Sequence, residues 1–207
     1  MANSNSPFGL KPVRHLLGLP MNGAVQPMFI PSTYATALFI GDPVVKMATG
    51  SNTARVFAPG AGEFQIGTLP EINKCTAAAT NKITGVIVAF AALPNDLTKQ
   101  YNPASTERIA FVCVDPFVVF EIQADGAIPA ANIGLNANLI FTQAGSTFTG
   151  LSGVELDTSA PAVTATFQLN ILKAVNRVDN DTTLTRCKVE VRINLPTEMG
   201  ISDGLGI

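Results

Sequence analysis

The sequence predicts an all-β protein, a sandwich or barrel, with an extended N-terminal arm. Three observations carry this. Apolar residues recur at every second position rather than every third or fourth. Glycine (17) and proline (14) divide the chain into short segments. No long amphipathic helical pattern interrupts them.

The arm comes first. Residues 1–31 hold Pro7, Pro12, Pro20, Pro27 and Pro31. Proline fixes φ and removes a backbone donor, which suits extended, polyproline-like chain. Phe8, Leu10, Val13, Leu16 and Leu17 make this stretch too apolar for a solvated tail. It either packs on its own domain or reaches a neighbour. Phe8, Leu10, Val13 and Leu16 are the candidate contacts with a neighbouring subunit.

Residues 32–207 form the second unit, a β-sandwich domain with a flexible C-terminal tail. Strands are predicted at 43–48, 54–58, 83–91, 107–114, 117–123 and 138–142. Gly, Pro, Asn and Asp clusters separate them. "VTATFQLNI" (163–171) predicts a strand with Val163, Ala165, Phe167, Leu169 and Ile171 inward. "TRCKVEVRI" (185–193) repeats the alternation, with Arg186, Lys188 and Arg192 facing solvent or an acidic partner surface. The polar "NRVDNDTT" between them predicts a hairpin. One or two helical turns fit near residues 31 and 128, the second stopping at Gly134. The tail "MGISDGLGI" carries three glycines, which predict mobility.

Two Asp-Pro pairs, Asp42-Pro43 and Asp115-Pro116, stand before Val- and Phe-rich runs. Proline belongs at the first position of a strand, and the residue before it is pushed to extended geometry. A short acid there bonds nearby backbone amides. Both acids therefore read as strand punctuation rather than catalytic carboxylates. In 117–123, Val118, Phe120 and Ile122 share one face, with Phe117, Val119, Glu121 and Gln123 on the other. That strand should enter between two layers and leave toward solvent.

Composition narrows the function classes. Charged residues are only 14% and hydrophobic residues 47% of 207, against about 25% charged in an average soluble domain. A chain so poor in charge hides surface in an assembly. The net charge is −2 and the 13 basic residues are dispersed, which argues against nucleic-acid binding. Bases outnumber acids in residues 1–60, and acids outnumber bases in 61–162. That asymmetry is either chance or electrostatic register between subunits. Cys75, Cys113 and Cys187 show no C-x-x-C spacing and read as reduced, structural thiols. Neither a signal peptide nor a membrane-spanning run is predicted.

Signatures of chemistry are weak. His15 is the only histidine and lies in the arm, outside any G-x-S-x-G frame. Zinc spacing and a phosphate loop are absent. Asp179 and Asp181 lack the Gly and distal Glu of a calcium loop. A sugar-binding sheet face would want aromatics, and the chain has no Trp and only Tyr34 and Tyr101. The expectation is a protein without enzymatic activity, cofactor or metal.

The ordered phrases "ANSNSPFGLKPVRHLLG", "IPSTYATALFIGDPVVK", "DPFVVFEIQADG", "IGLNANLIF" and "FQLNIL…VNRVDN" resemble the head decoration, or cement, proteins of tailed bacteriophages. The family's aromatic before the Asn-Gly pair is Met21 here. The resemblance implies a β-sandwich or jelly-roll-like subunit, a virion structural protein made in the host bacterial cytoplasm. It would sit on the outer capsid surface as a dimer or trimer, contact the major capsid protein and bridge capsomers. A head-fibre base, a tail-associated sandwich and a carbohydrate-binding sandwich are the alternatives.

Overall fold

Fourteen strands and one 3-10 turn make up the secondary structure of the described residues. The computed structural model describes residues 3–20, 25–50, 56–58, 62–93 and 95–197, with the backbone alone for 56–58 and 62–64. Met21 and the glycine-rich tail from residue 198 lie outside this set.

In chain order the strands are β1 (Lys11–His15), β2 (Val25–Ile30), β3 (Pro43–Gly50), β4 (Val56–Ala58), β5 (Gly62–Phe64), β6 (Pro70–Lys74) and β7 (Gly85–Phe90). They continue with β8 (Arg108–Cys113), β9 (Val118–Gln123), β10 (Asn136–Ala137), β11 (Leu139–Ile140), β12 (Glu155–Leu156), β13 (Leu169–Ala174) and β14 (Lys188–Ile193). The 3-10 turn Ala130–Asn132 falls where the sequence predicts helix, and Gly134 follows it at φ 89°.

The chain is all-β, and its strands divide between two main bodies. Strands β2-β6-β3-β7-β8 close into a barrel, and β1-β9-β14-β13-β10 form a five-stranded open sheet. The barrel closes where β2 meets β6 in parallel, Phe29 opposite Glu71. Two further pairs, β4-β5 and β11-β12, are two-stranded ribbons.

Alternation explains how the bodies join. On β7, Ile87 points into the barrel with Met28, Ile30, Val44, Ile72 and Val112. Its neighbour Val86 points outward and packs with Phe120, Ile122, Val189, Val191, Leu169 and Ile171 of the open sheet. The barrel wall is thus buried on both faces, which is why 83–91 reads as an almost unbroken apolar run. Each fully buried Ile or Phe contributes about 1.5–3 kcal/mol.

Three expectations are corrected. The described part of residues 1–31 is no separate arm. Lys11–His15 is the edge strand of the open sheet and Val25–Ile30 a barrel strand. Their prolines sit where a ladder can spare a donor. The strand predicted at 163–171 begins only at Leu169, and Val163 is 87% exposed. Residues 163–168 turn instead. Gln168 is buried there because its side chain bonds Thr76 O, Asn81 O and Leu139 N. Finally, β9 does not emerge toward solvent. All six residues are buried, and Gln123 bonds Asn5, Ser6 N and Glu155.

Candidate interaction surface

The candidate interaction surface lies where the N-terminal segment crosses from barrel to sheet. Gly9 and Gly41 make the crossing possible. A Cβ on Gly9 would stand 2.4 Å from Gly41 O, and one on Gly41 would stand 2.4 Å from Phe8 O. Both residues have positive φ, 70° and 92°, which only glycine adopts freely. Leu10 N donates to Gly41 O at 2.9 Å, and the chain then enters β1.

Beside this crossing is a groove of about 540 Å³. Phe8, Leu10, Pro12, Ile40 and Leu151 line it. The ion pair of Glu121 and Arg177 lines it as well. Two loops on its rim carry highly exposed apolar side chains, Phe148 before Leu151 and Val178 after Arg177.

A charge network covers the outer face of the open sheet. Glu121 on β9 and Glu190 on β14 stand directly opposite each other. Like charges in that relation repel. Arg177 takes Glu121, while Arg14 (2.8 Å) and Lys173 (3.1 Å) take Glu190. The bases expected to face an acidic partner are placed differently. Arg186 is engaged by the buried Glu155 at 2.7 Å, and Lys188 is buried. Arg192 is half-buried, with its Nε lacking a hydrogen-bond partner. Arg186 also lies outside β14, in a turn with φ 65°.

The four candidate contact residues separate. Leu10 is only 1% exposed and belongs to the core between barrel and sheet, so it is not open to a partner. Phe8 is half-buried on the groove wall. Val13 and Leu16 are exposed. Leu17 and Leu19, at 63% and 59%, project further than any of them. Alternation could not locate these two, because residues 16–18 form a turn closed by Gly18 N donating to His15 O.

The chain matches no protein-family model, no curated protein and no solved structure.

Both Asp-Pro acids make the turn bonds the sequence predicts and reach further as well. Asp42 Oδ2 accepts Phe39 N (2.8 Å), while Oδ1 accepts Ser152 Oγ (2.6 Å) and Lys74 Nζ (2.7 Å). Asp115 Oδ1 accepts Phe117 N (2.8 Å), and Oδ2 lies 3.2 Å from His15 Nε2. His15 Nδ1 accepts Leu17 N, which leaves Nε2 as the proton-bearing nitrogen facing Asp115. The His15 ring is thus locked into the turn that presents the leucines. The three thiols are buried and unpaired. Burial pushes Cys75 up to about 12 and raises Cys113 and Cys187 as well. Among the described residues, no group of three or more His, Cys, Asp or Glu is placed to hold a metal ion. None of their helices is long and apolar enough to cross a membrane.

Proposed function

We propose that this chain is a virion structural protein, a decoration or cement protein on the outer surface of a bacteriophage capsid. It would reach that surface after synthesis in the bacterial cytoplasm. The observation that carries the reading is the position of the phrases that resemble the family. Phe8, Leu10 and Pro12, Ile40-Gly41, Glu121 and Arg177 come from four of them, and all line one groove. Large apolar side chains on neighbouring turns, Leu17, Leu19, Phe148 and Val178, stand ready to be covered.

In this reading the subunit works as a sandwich-like body, with the open sheet lying on the barrel wall. The exposed loops at Phe148 and Val178 meet the major capsid protein, and the groove takes a sister copy. Contacts made across a seam between capsomers must be broken before the seam opens. A standard interface of roughly 1,600 Å² supplies this, and linkage between sister copies adds effective concentration.

Quantitative mass spectrometry of purified particles tests the reading. A copy number approaching that of the major capsid protein is expected. A few dozen copies would move the chain to a fibre base or tail, and absence from the particle would end the proposal. A glycan-array signal would favour the sugar-binding alternative.

A further inference from the structure

We infer that two copies of this chain associate about a two-fold axis through β1. The inference does not depend on the decoration reading.

β1 is the open edge of its sheet, paired with β9 alone. Pro12 and the bulge at Val13 blunt that edge against strand addition. A partner must therefore be held by side chains, and β1 offers complementary ones at its two ends. At the C-terminal end, Leu16, Leu17 and Leu19 form an exposed apolar knob on the turn locked by His15. At the N-terminal end lies the groove walled by Phe8 and Pro12. Val13, half-way between, is itself exposed.

A two-fold axis perpendicular to the strand near Val13 exchanges its ends. Each knob then enters the other copy's groove, and no apolar end is left uncovered. This is the self-complementarity an isologous interface requires. A head-to-tail contact between two copies would leave one knob and one groove open, and covering them would take a closed ring of three or more.

The charges match the same operation. Lys11 is exposed and takes part in none of the ion pairs found among the described residues. Asp115 stands at the opposite end of β1 beside His15, with its side chain 27% exposed. The axis carries Lys11 of one copy to Asp115 of the other, twice. Opposite charges in this relation set the register and hasten encounter.

Sedimentation equilibrium of the full chain should give twice its 21.6 kDa mass at micromolar concentration. Leu17→Asp should weaken association by about 30-fold or more, from the lost apolar burial. Lys11→Glu should weaken it about tenfold and reduce its salt dependence. Both positions are exposed, so the far-ultraviolet circular dichroism of each variant should match that of the parent chain. On the unmodified chain, a zero-length carbodiimide should join Lys11 to Asp115. Mixing isotope-labelled and unlabelled copies shows that the link is intermolecular. A monomer at every concentration, a trimer or larger ring, a dimer indifferent to Leu17→Asp, or absence of the Lys11–Asp115 link would each overturn the inference. A monomeric result leaves the decoration reading standing, because that is judged by occupancy on the particle.

Discussion

Lys74 Nζ lies 2.7 Å from Asp42 Oδ1, and the Asp42 side chain is wholly buried. The pair ties β6 to the turn entering β3, and Ser152 Oγ joins the same oxygen from a distant loop. Phe141 lies 4.9 Å beneath the ammonium and screens it further. Asp42→Ala would strand Lys74 and leave Phe39 N and Ser152 Oγ without their acceptor. The expected loss is about 3–5 kcal/mol, the usual cost of breaking a buried ion pair from one side. Urea denaturation measures it. The double variant Asp42→Leu with Lys74→Met should lose less than Asp42→Ala alone, since no buried charge is orphaned.

Gly9 and Gly41 should tolerate no side chain. Each combines positive φ with a backbone oxygen 2.4 Å from where a Cβ would sit. Gly41→Ala should lower stability by at least about 2 kcal/mol, from strain plus displacement of the Phe8–Leu10 crossing. Hydrogen exchange at Leu10 N should accelerate, because that amide bonds Gly41 O. Unchanged protection there would mean that the crossing does not depend on close approach.

Arg108 is buried and donates to three backbone carbonyls, those of Ala91, Lys99 and Tyr101. It also stacks 5.1 Å over Phe90. The guanidinium fork therefore holds the 92–100 connection onto the barrel. A lysine cannot reach three divergent acceptors. Arg108→Lys should cost about 1.5–3 kcal/mol and open a proteolytic site within that connection. Limited trypsin digestion with mass mapping reads the second effect.

Thiol behaviour gives a pH dependence with a definite sign. Cys75 is pushed up to about 12 by burial from an ordinary 9.0, and burial raises Cys113 and Cys187 too. Below the unfolded value the thiols are protonated in both states, and their contribution is constant. Above it the unfolded chain ionises first, so stability should fall as pH rises from about 9 toward 12. Cys75→Ala should flatten part of that fall in denaturation experiments at successive pH values. Iodoacetamide at pH 8 should leave the native chain unlabelled and modify all three cysteines after denaturation.

Strands β3, β7, β8 and β9 were legible because short β-branched and aromatic runs there are bounded by Gly, Pro, Asn or Asp clusters. β13 was legible only in part, since the apolar period of 163–171 continues through a stretch that turns. What overrides it is Asn194, whose amide holds Ala165 O and Phe167 O in the turn. β1 and β2 were obscured by their prolines, which local rules assign to an arm. Leu10 looked like a contact residue because nothing near it in the chain reveals the barrel wall it packs on. The groove was not legible either, since Phe8, Ile40, Glu121, Leu151 and Arg177 meet only after folding.

The amino-acid order alone determined that the chain is all-β, where most strands run, and that Asp42 and Asp115 serve turns. Those properties depend on residues within a few positions of one another, where periodicity and turn chemistry act. Tertiary structure decided that five strands close into a barrel, that the N-terminal stretch supplies an edge to one sheet and a wall to the barrel, and that Asp42 meets Lys74. Such choices rest on which edges and faces come together across long separations, and a pleated strand exposes the same donors and acceptors to any partner of suitable register.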